Sequence, residues 1–426
     1  MVRLGHSVET IYATLALFAL TQGPVYRIWE SSANFLQTSP QPSMPHIHFA
    51  TFVAVQLPAV LLLGRNASEL LRSKKSSIPL VLLMSWLGMT VLWSTLARHS
   101  LPEYVALLLT TAFGVYLSTS FSAEKIWRII ASAMATGLGF SLVAIWRSWN
   151  AAVSEVDGHW IGIYYNRNSL APVAAVAAIA SIGMAVTSRR SPRILYPVSV
   201  CGVLLLTASI AILWKSESQT SPFALIVAFV ALLVWFVLRW IMRFRSGSAV
   251  WWSPAAASLL FIATVLVLVL RSIGRLSNAS GGPLFNSRGV LWSVSWSAIQ
   301  SKPWHGWGWL AAWHTPDFFK QGAYWGLWDT TWSHNGYHDL MLGGGFTAIG
   351  LFVLYLIFAA YELDKCPTTV GSMALFSVVF VLAAATQESF FIGSHFLWAL
   401  LICSTTIRWG SPKKLFEQQD TTKSLA

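Results

Sequence analysis

Apolar residues in this chain gather into long runs separated by short polar breaks. The runs occupy 8–26, 47–64, 78–97, 101–121, 126–146, 168–187, 194–213, 222–242, 254–271, 338–361, 370–387 and 390–408. A bilayer core takes about 20 apolar residues of helix, so the pattern predicts an all-α polytopic bundle of about 12 transmembrane helices. Proline interrupts the first two runs, and the last two read as a tight hairpin turning at Gln387 and Glu388. The first run has Arg3 ahead of Ile11–Leu20, as a signal peptide does. It continues through Gln22, Gly23 and Pro24 without a small-x-small cleavage site, and so reads as a retained helix.

One segment between runs is long, 272–337, and it is no linker. It carries Trp292, Trp296, Trp304, Trp307, Trp309, Trp313, Trp325, Trp328 and Trp332. Within it Arg288–Lys302 has helical spacing, with Val290, Leu291, Val294 and Ala298 on one face. Pro303 ends that helix, and Gly306 and Gly308 mark a turn. The domain organisation expected is one transmembrane unit over 1–417 containing this external loop. A polar, disordered cytoplasmic tail over 418–426 follows it.

Composition and charge sharpen the picture. Hydrophobic types make up 55% of the 426 residues and charged types 10%, against about 25% charged in soluble chains. The net charge of +12 does not point to nucleic acid, because the basic residues are scattered through short loops and no groove-reading motif occurs. With both termini cytoplasmic, 18 of the 28 Lys and Arg residues fall on inside segments, and every short inside loop has at least one. That is the positive-inside pattern. Arg147, Arg167, Lys215, Arg271, Arg275 and Arg288 go against it, as outside cations next to spans. Cys201, Cys366 and Cys403 form neither a disulfide framework nor a metal pair.

Four polar clusters lie at predicted outer span ends. Tyr164-Tyr165-Asn166-Arg167-Asn168 opens the sixth span with a cation and two amides. Arginine's planar fork suits phosphate, and it equally suits lipid headgroups at an interface. Lys215-Ser216-Glu217-Ser218-Gln219-Thr220 is a short, unusually polar outside turn, which also fits a solvated turn capped at Ser221. Asn286-Ser287-Arg288-Gly289 starts the loop helix. Arginine is poorly placed at a helix N-terminus unless an anion docks there. Ser333-His334-Asn335-Gly336-Tyr337-His338-Asp339 precedes the tenth span. His334 and His338 have an i, i+4 spacing, but no Glu follows the first histidine as a zinc protease requires. A general base at His334 is the better chemical reading. The loop tryptophans fit an interfacial belt or the C–H faces of sugar rings.

Together these clusters resemble the O-antigen ligase and polymerase family of bacterial envelope glycan enzymes, which includes exopolysaccharide polymerases. Tyr165-Asn166-Arg167-Asn168-Ser169-Leu170-Ala171 resembles the family's Asn-x-Leu-Ala segment. Arg288-Gly289-Val290-Leu291-Trp292, Ala298-Ile299, Lys302-Pro303 and Gly306-Trp307-Gly308 resemble its arginine–tryptophan helix with Pro and Gly-x-Gly. Ser333-His334-Asn335, followed by Gly345 and Gly350, resembles its His-Asn motif. The chain departs from the pattern at Ser218-Gln219, where the family has Ser-Arg or Ser-Lys. It departs again at Gly343-Gly344, where the family often has Glu.

The resemblance implies a membrane-embedded glycosyltransferase of the GT-C type in the bacterial inner (plasma) membrane, working on the periplasmic or extracellular face without metal or cofactor. The donor it implies is a glycan on undecaprenyl pyrophosphate, and the acceptor a lipid-anchored or carrier-linked sugar. On that basis His334, Arg288 and Arg167 are the expected catalytic residues. Lys215, Gln219, Asn168, Asn335, His338, Trp292, Trp304, Trp307, Trp309 and Trp332 are the expected substrate contacts. A polytopic transporter is the principal rival, but it would place ionisable residues at span centres, where this chain has almost none. A non-catalytic polysaccharide assembly protein is the other alternative.

Overall fold

The computed structural model describes residues 5–24, 46–66, 74–149, 152–155, 157–187, 192–244, 286–315, 332–391, 393 and 395–407. In chain order the α-helices among them are α1 (His6–Leu20), α2 (His46–Leu63), α3 (Lys74–Met89), α4 (Ala97–Ser120), α5 (Ala123–Trp146) and α6 (Arg167–Thr187). They continue as α7 (Pro192–Ser216), α8 (Thr220–Phe244), α9 (Asn286–Ser301), α10 (Gly336–Asp364), α11 (Thr368–Ala384) and α12 (Phe396–Thr406). No strand occurs among the described residues; Val153 and Trp160 form an isolated antiparallel bridge.

Eleven of the twelve apolar runs coincide with α-helices. The run at 254–271, Arg271, Arg275, Trp325, Trp328 and the tail lie outside the described residues. α4, α5, α6, α8 and α10 are each long and apolar enough to cross a membrane, and six shorter apolar helices accompany them. The described residues thus form a helical bundle whose apolar helices are those of a multi-pass membrane protein. The last run yields a shorter helix than expected, because the described residues between α11 and α12 (385–391, 393 and 395) are not helical and α12 begins only at Phe396.

Packing is organised around α6. It packs on α5, α7, α8 and α11, and from Leu170 to Ala180 every side chain is buried. Alanine fills most of these positions, and small side chains let helix axes approach closely where lipid gives no hydrophobic drive. Large apolar side chains are instead exposed on the perimeter, among them Leu61, Leu92, Val203, Leu204 and Ile226. A soluble protein does the reverse.

α10 is two helical segments joined at a break. Gly345 has φ of 70° inside it, a left-handed value that a Cβ makes costly. The turn after α9 fits into this break. Trp307 N–H donates to Leu342 O (2.7 Å), Gly308 N–H to Gly343 O (3.2 Å) and Phe346 N–H to Pro303 O (2.7 Å). Trp86 Nε1 donates to Gly344 O at 2.8 Å. Carbonyls released by the kink are therefore answered by the loop and by α3, as a buried backbone requires. A side chain at Gly343 would run into the Trp309 ring, so a glutamate has no room there.

Candidate functional site

The first turns of α6, α9 and α10 and the turn leading into α8 come together at one end of the bundle. Each is set by local sequence. Asn166 caps α6, its Oδ1 accepting from Ser169 N–H at 2.9 Å. Asn335 caps α10, accepting from Tyr337 N–H (3.1 Å) and His338 N–H (3.4 Å). The N–H of Gly336 donates to Ala385 O at 2.8 Å, which fixes α10 to the turn after α11. A side chain on Gly336 would press on the Phe391 ring at 2.9 Å. Helix N-termini carry partial positive charge, so each of these first turns favours an anion beside it, although α5 and α7 also end at this side of the bundle.

Glu388, in the turn between α11 and α12, lies at the centre. Its Oε1 accepts from Arg288 Nη2 at 2.6 Å and from Asn168 Nδ2 at 2.8 Å. Its Oε2 lies 2.7 Å from His334 Nδ1. Arg288 also reaches Gln387 at 3.4 Å, and Ser218 Oγ donates to Asn168 Oδ1 at 2.9 Å. The carboxylate side chain is 8% exposed, whereas those of Arg288 and His334 are 27% and 29% exposed. Both therefore present a face to the outside while the acid beneath stays buried. An ionised carboxylate only accepts, so a neutral His334 ring facing it carries its proton at Nδ1 and leaves Nε2 as a lone-pair base. His334 has φ of 51°. A non-glycine residue in that region is strained, and such strain clusters at functional positions.

The expected anion at the start of α9 is thus present, but the protein itself supplies it. Glu388 is not among the site residues expected from the sequence, although it is the one acidic residue between Lys365 and Glu417. An acid in a short turn between two apolar runs was the available signal.

Arg167 belongs to a neighbouring group. Its guanidinium meets His159 Nε2, which also contacts Asp157, while His159 Nδ1 lies 3.5 Å from Glu217. The Ser154 hydroxyl, with His159 and Arg167 nearby, holds the Asp157 carboxyl below the usual carboxylate range. The loop carrying His159 is anchored by Tyr164, which is buried, donates to Thr21 at 3.3 Å and sits in the space left by Gly23 and Gly137. Because Asn168 adjoins Arg167 and Ser218 adjoins Glu217, the two groups form one continuous surface.

The remaining expected contacts are distributed unevenly. Trp332 is half-buried, with its ring edge-on to His334 at 6.1 Å. Trp292 is buried and its indole donates to Ser333 O at 3.1 Å, supporting the segment that carries His334. His338 is fully buried with its ring 6.3 Å from that of Trp292, whereas His334 is part-exposed beside Glu388 and Trp332. Asn335 is fully buried as a cap and Trp309 is buried against α10. Trp292, Trp309, Asn335 and His338 therefore support the site instead of lining it, because no solvent-facing atom remains to meet a sugar. Trp307 donates to Ala298 O at 3.0 Å and carries Lys302 on its ring, and Trp304 is 69% exposed. Lys215 lies over Trp214 at 5.8 Å. Gln219 is exposed, and it is Ser218 that reaches inward from this turn.

Residues 207–353 match the model of the O-antigen ligase family. The match takes in Lys215–Gln219, Arg288 and His334, and leaves Arg167 and Glu388 on either side. A search of curated proteins finds no match to this chain.

Proposed function

We propose that this chain, whose residues 207–353 fall within the O-antigen ligase family, is a metal-independent glycosyltransferase of the GT-C type. It takes a glycan from an undecaprenyl-pyrophosphate carrier at the periplasmic face of the bacterial inner membrane. It spans the membrane about a dozen times with both termini cytoplasmic. The observation that carries this reading is the buried Glu388 carboxylate beneath His334 and Arg288, set among helix N-termini.

The chemistry follows from those positions. An acceptor hydroxyl attacks the anomeric carbon from the face opposite the pyrophosphate. His334 Nε2 takes the hydroxyl proton, and the imidazolium so formed keeps its Nδ1–H on Glu388, which stabilises it as the carboxylate of a catalytic triad does. The bond from the anomeric carbon to the phosphate oxygen breaks and its electron pair leaves with the pyrophosphate. Arg288 has five donors, enough to keep Glu388 and reach a phosphate oxygen together. Arg167 supplies the second cation, with the N-terminal ends of α6 and α9 adding to it. One displacement inverts the anomeric centre. Trp332, beside the base, offers its ring to the sugar. The acceptor is a lipid-anchored sugar or a second carrier-linked repeat.

The test is transfer itself. Protein reconstituted in liposomes with carrier-linked oligosaccharides from its host gives longer carrier-linked chains, or glycan on a new acceptor. The His334→Ala variant is slower by about 10²–10⁴-fold. A His334→Ala protein that turns over at the wild-type rate removes the base assignment. Absence of product from folded wild-type protein removes the reading.

A further inference from the structure

His159 contains an inconsistency that a single protonation state cannot resolve. Its Nε2 contacts both the Arg167 guanidinium and the Asp157 carboxylate. Arginine only donates and an ionised carboxylate only accepts, so one nitrogen cannot satisfy both. With a neutral ring protonated at Nδ1, which has no hydrogen-bond partner and lies 3.5 Å from Glu217 Oε2, Nε2 accepts from Arg167. With both nitrogens protonated, Nε2–H goes to Asp157, Nδ1–H goes to Glu217, and a positive ring now faces a positive guanidinium.

The surroundings favour movement of the arginine and not of the ring. His159 is 8% exposed, and its segment is tied down by Ser154 N–H to His159 O (2.9 Å) and Trp160 N–H to Lys215 O (3.0 Å). Glu217 holds its place at a left-handed φ of 52°, a strained value for a residue with a side chain. The groups facing the ring are Arg167 from α6, Asp157 from its own loop and Glu217 from the turn between α7 and α8. Two acids and one cation surround it, so removing the cation tips the ring toward protonation.

Building on the reading of Arg167 as a donor contact, we propose that His159 is a positioning residue that holds Arg167 while the site is empty. When a pyrophosphate draws the guanidinium away, His159 takes a proton from solvent and pairs with Asp157 and Glu217. Donor binding and proton uptake are then linked. The bound state holds more protons, so affinity rises as pH falls. At full uptake of one proton the limit is about tenfold per pH unit.

Calorimetry on the full chain in lipid nanodiscs tests this, with farnesyl pyrophosphate as the probe. Measuring in two buffers of unlike ionisation enthalpy counts the protons taken up on binding. His159→Gln, which can accept from Arg167 but cannot become a cation, serves as the first variant. Asp157→Asn, a change at a half-exposed position, serves as the second. Any proton exchange by the probe itself is common to all three proteins. The wild type takes up more protons than either variant, by up to about one, and its affinity is the most pH-dependent. Equal proton counts in wild type and His159→Gln overturn the inference, even if Kd differs, since a merely structural role changes Kd alone. A different failure, in which Arg167→Ala binds the probe as tightly as the wild type or no protein binds it, removes the donor reading on which the inference rests.

Discussion

Glu388 lies 54 residues from His334, 100 from Arg288 and 220 from Asn168 in the chain, yet one carboxylate meets all three. Two of its partners were legible because they were anomalous: Arg288 runs against the charge bias of the sequence, and His334-Asn335 begins a motif. The acid was not, because Asp and Glu weigh little in membrane topology and carry no periodic signal in a turn. Gln219 shows the converse. It occupies a place where the family has a basic residue, but in this fold Ser218 is the side chain that bonds to Asn168. Arg288→Lys keeps the charge but loses the fork that lets one side chain serve Glu388 and a phosphate together. Steady-state kinetics with varied carrier-linked donor then shows a donor KM raised by about tenfold, near 1.4 kcal/mol. An unchanged KM takes Arg288 out of carrier binding.

At the scale of elements, run lengths marked the helices well and their breaks poorly. The apolar run at 338–361 gives no hint that α10 is interrupted, because Gly343, Gly344 and Gly345 are compatible with a continuous span. Pro303, Gly306 and Gly308 did announce a turn, but not that it would insert into that interruption. The reason is tertiary: the kink frees carbonyls, and only the folded loop and Trp86 can answer them. A Cβ at Gly345 would lie 2.3 Å from the Trp304 carbonyl carbon, whereas one at Gly350 meets nothing within 4 Å. Gly345→Ala is therefore expected to cost at least about 1–3 kcal/mol in backbone strain alone. Thermal unfolding in detergent shows this as a clear fall in Tm. Gly350→Ala, on an open helix face, leaves Tm unchanged or slightly raised. Equal Tm values for the two variants contradict this description of the break.

At the scale of the whole molecule, the chain's alternation decides which residues can meet. α5 ends, α6 begins, α7 ends and α10 begins at the site, while the pairs Glu9–Arg65, Glu124–Arg128 and Glu362–Lys365 belong to the opposite helix ends. Counting spans and cations was enough to sort Arg167, Lys215, Arg288 and His334 onto one face. It could not show that Arg167 would join His159 while its neighbour Asn168 joined Glu388. That division depends on how α6 is capped and rotated. The bundle's central product is the His334–Glu388 pair, and its worth to turnover can be measured directly. The decisive experiment compares kcat for carrier-linked glycan transfer by wild type, His334→Ala, Glu388→Gln and the double variant. If Glu388 acts through His334, the single losses are each large and the double variant is no slower than His334→Ala, because residues acting as a unit are not additive. Losses that multiply in the double variant would mean that the two residues work independently, and would contradict the account.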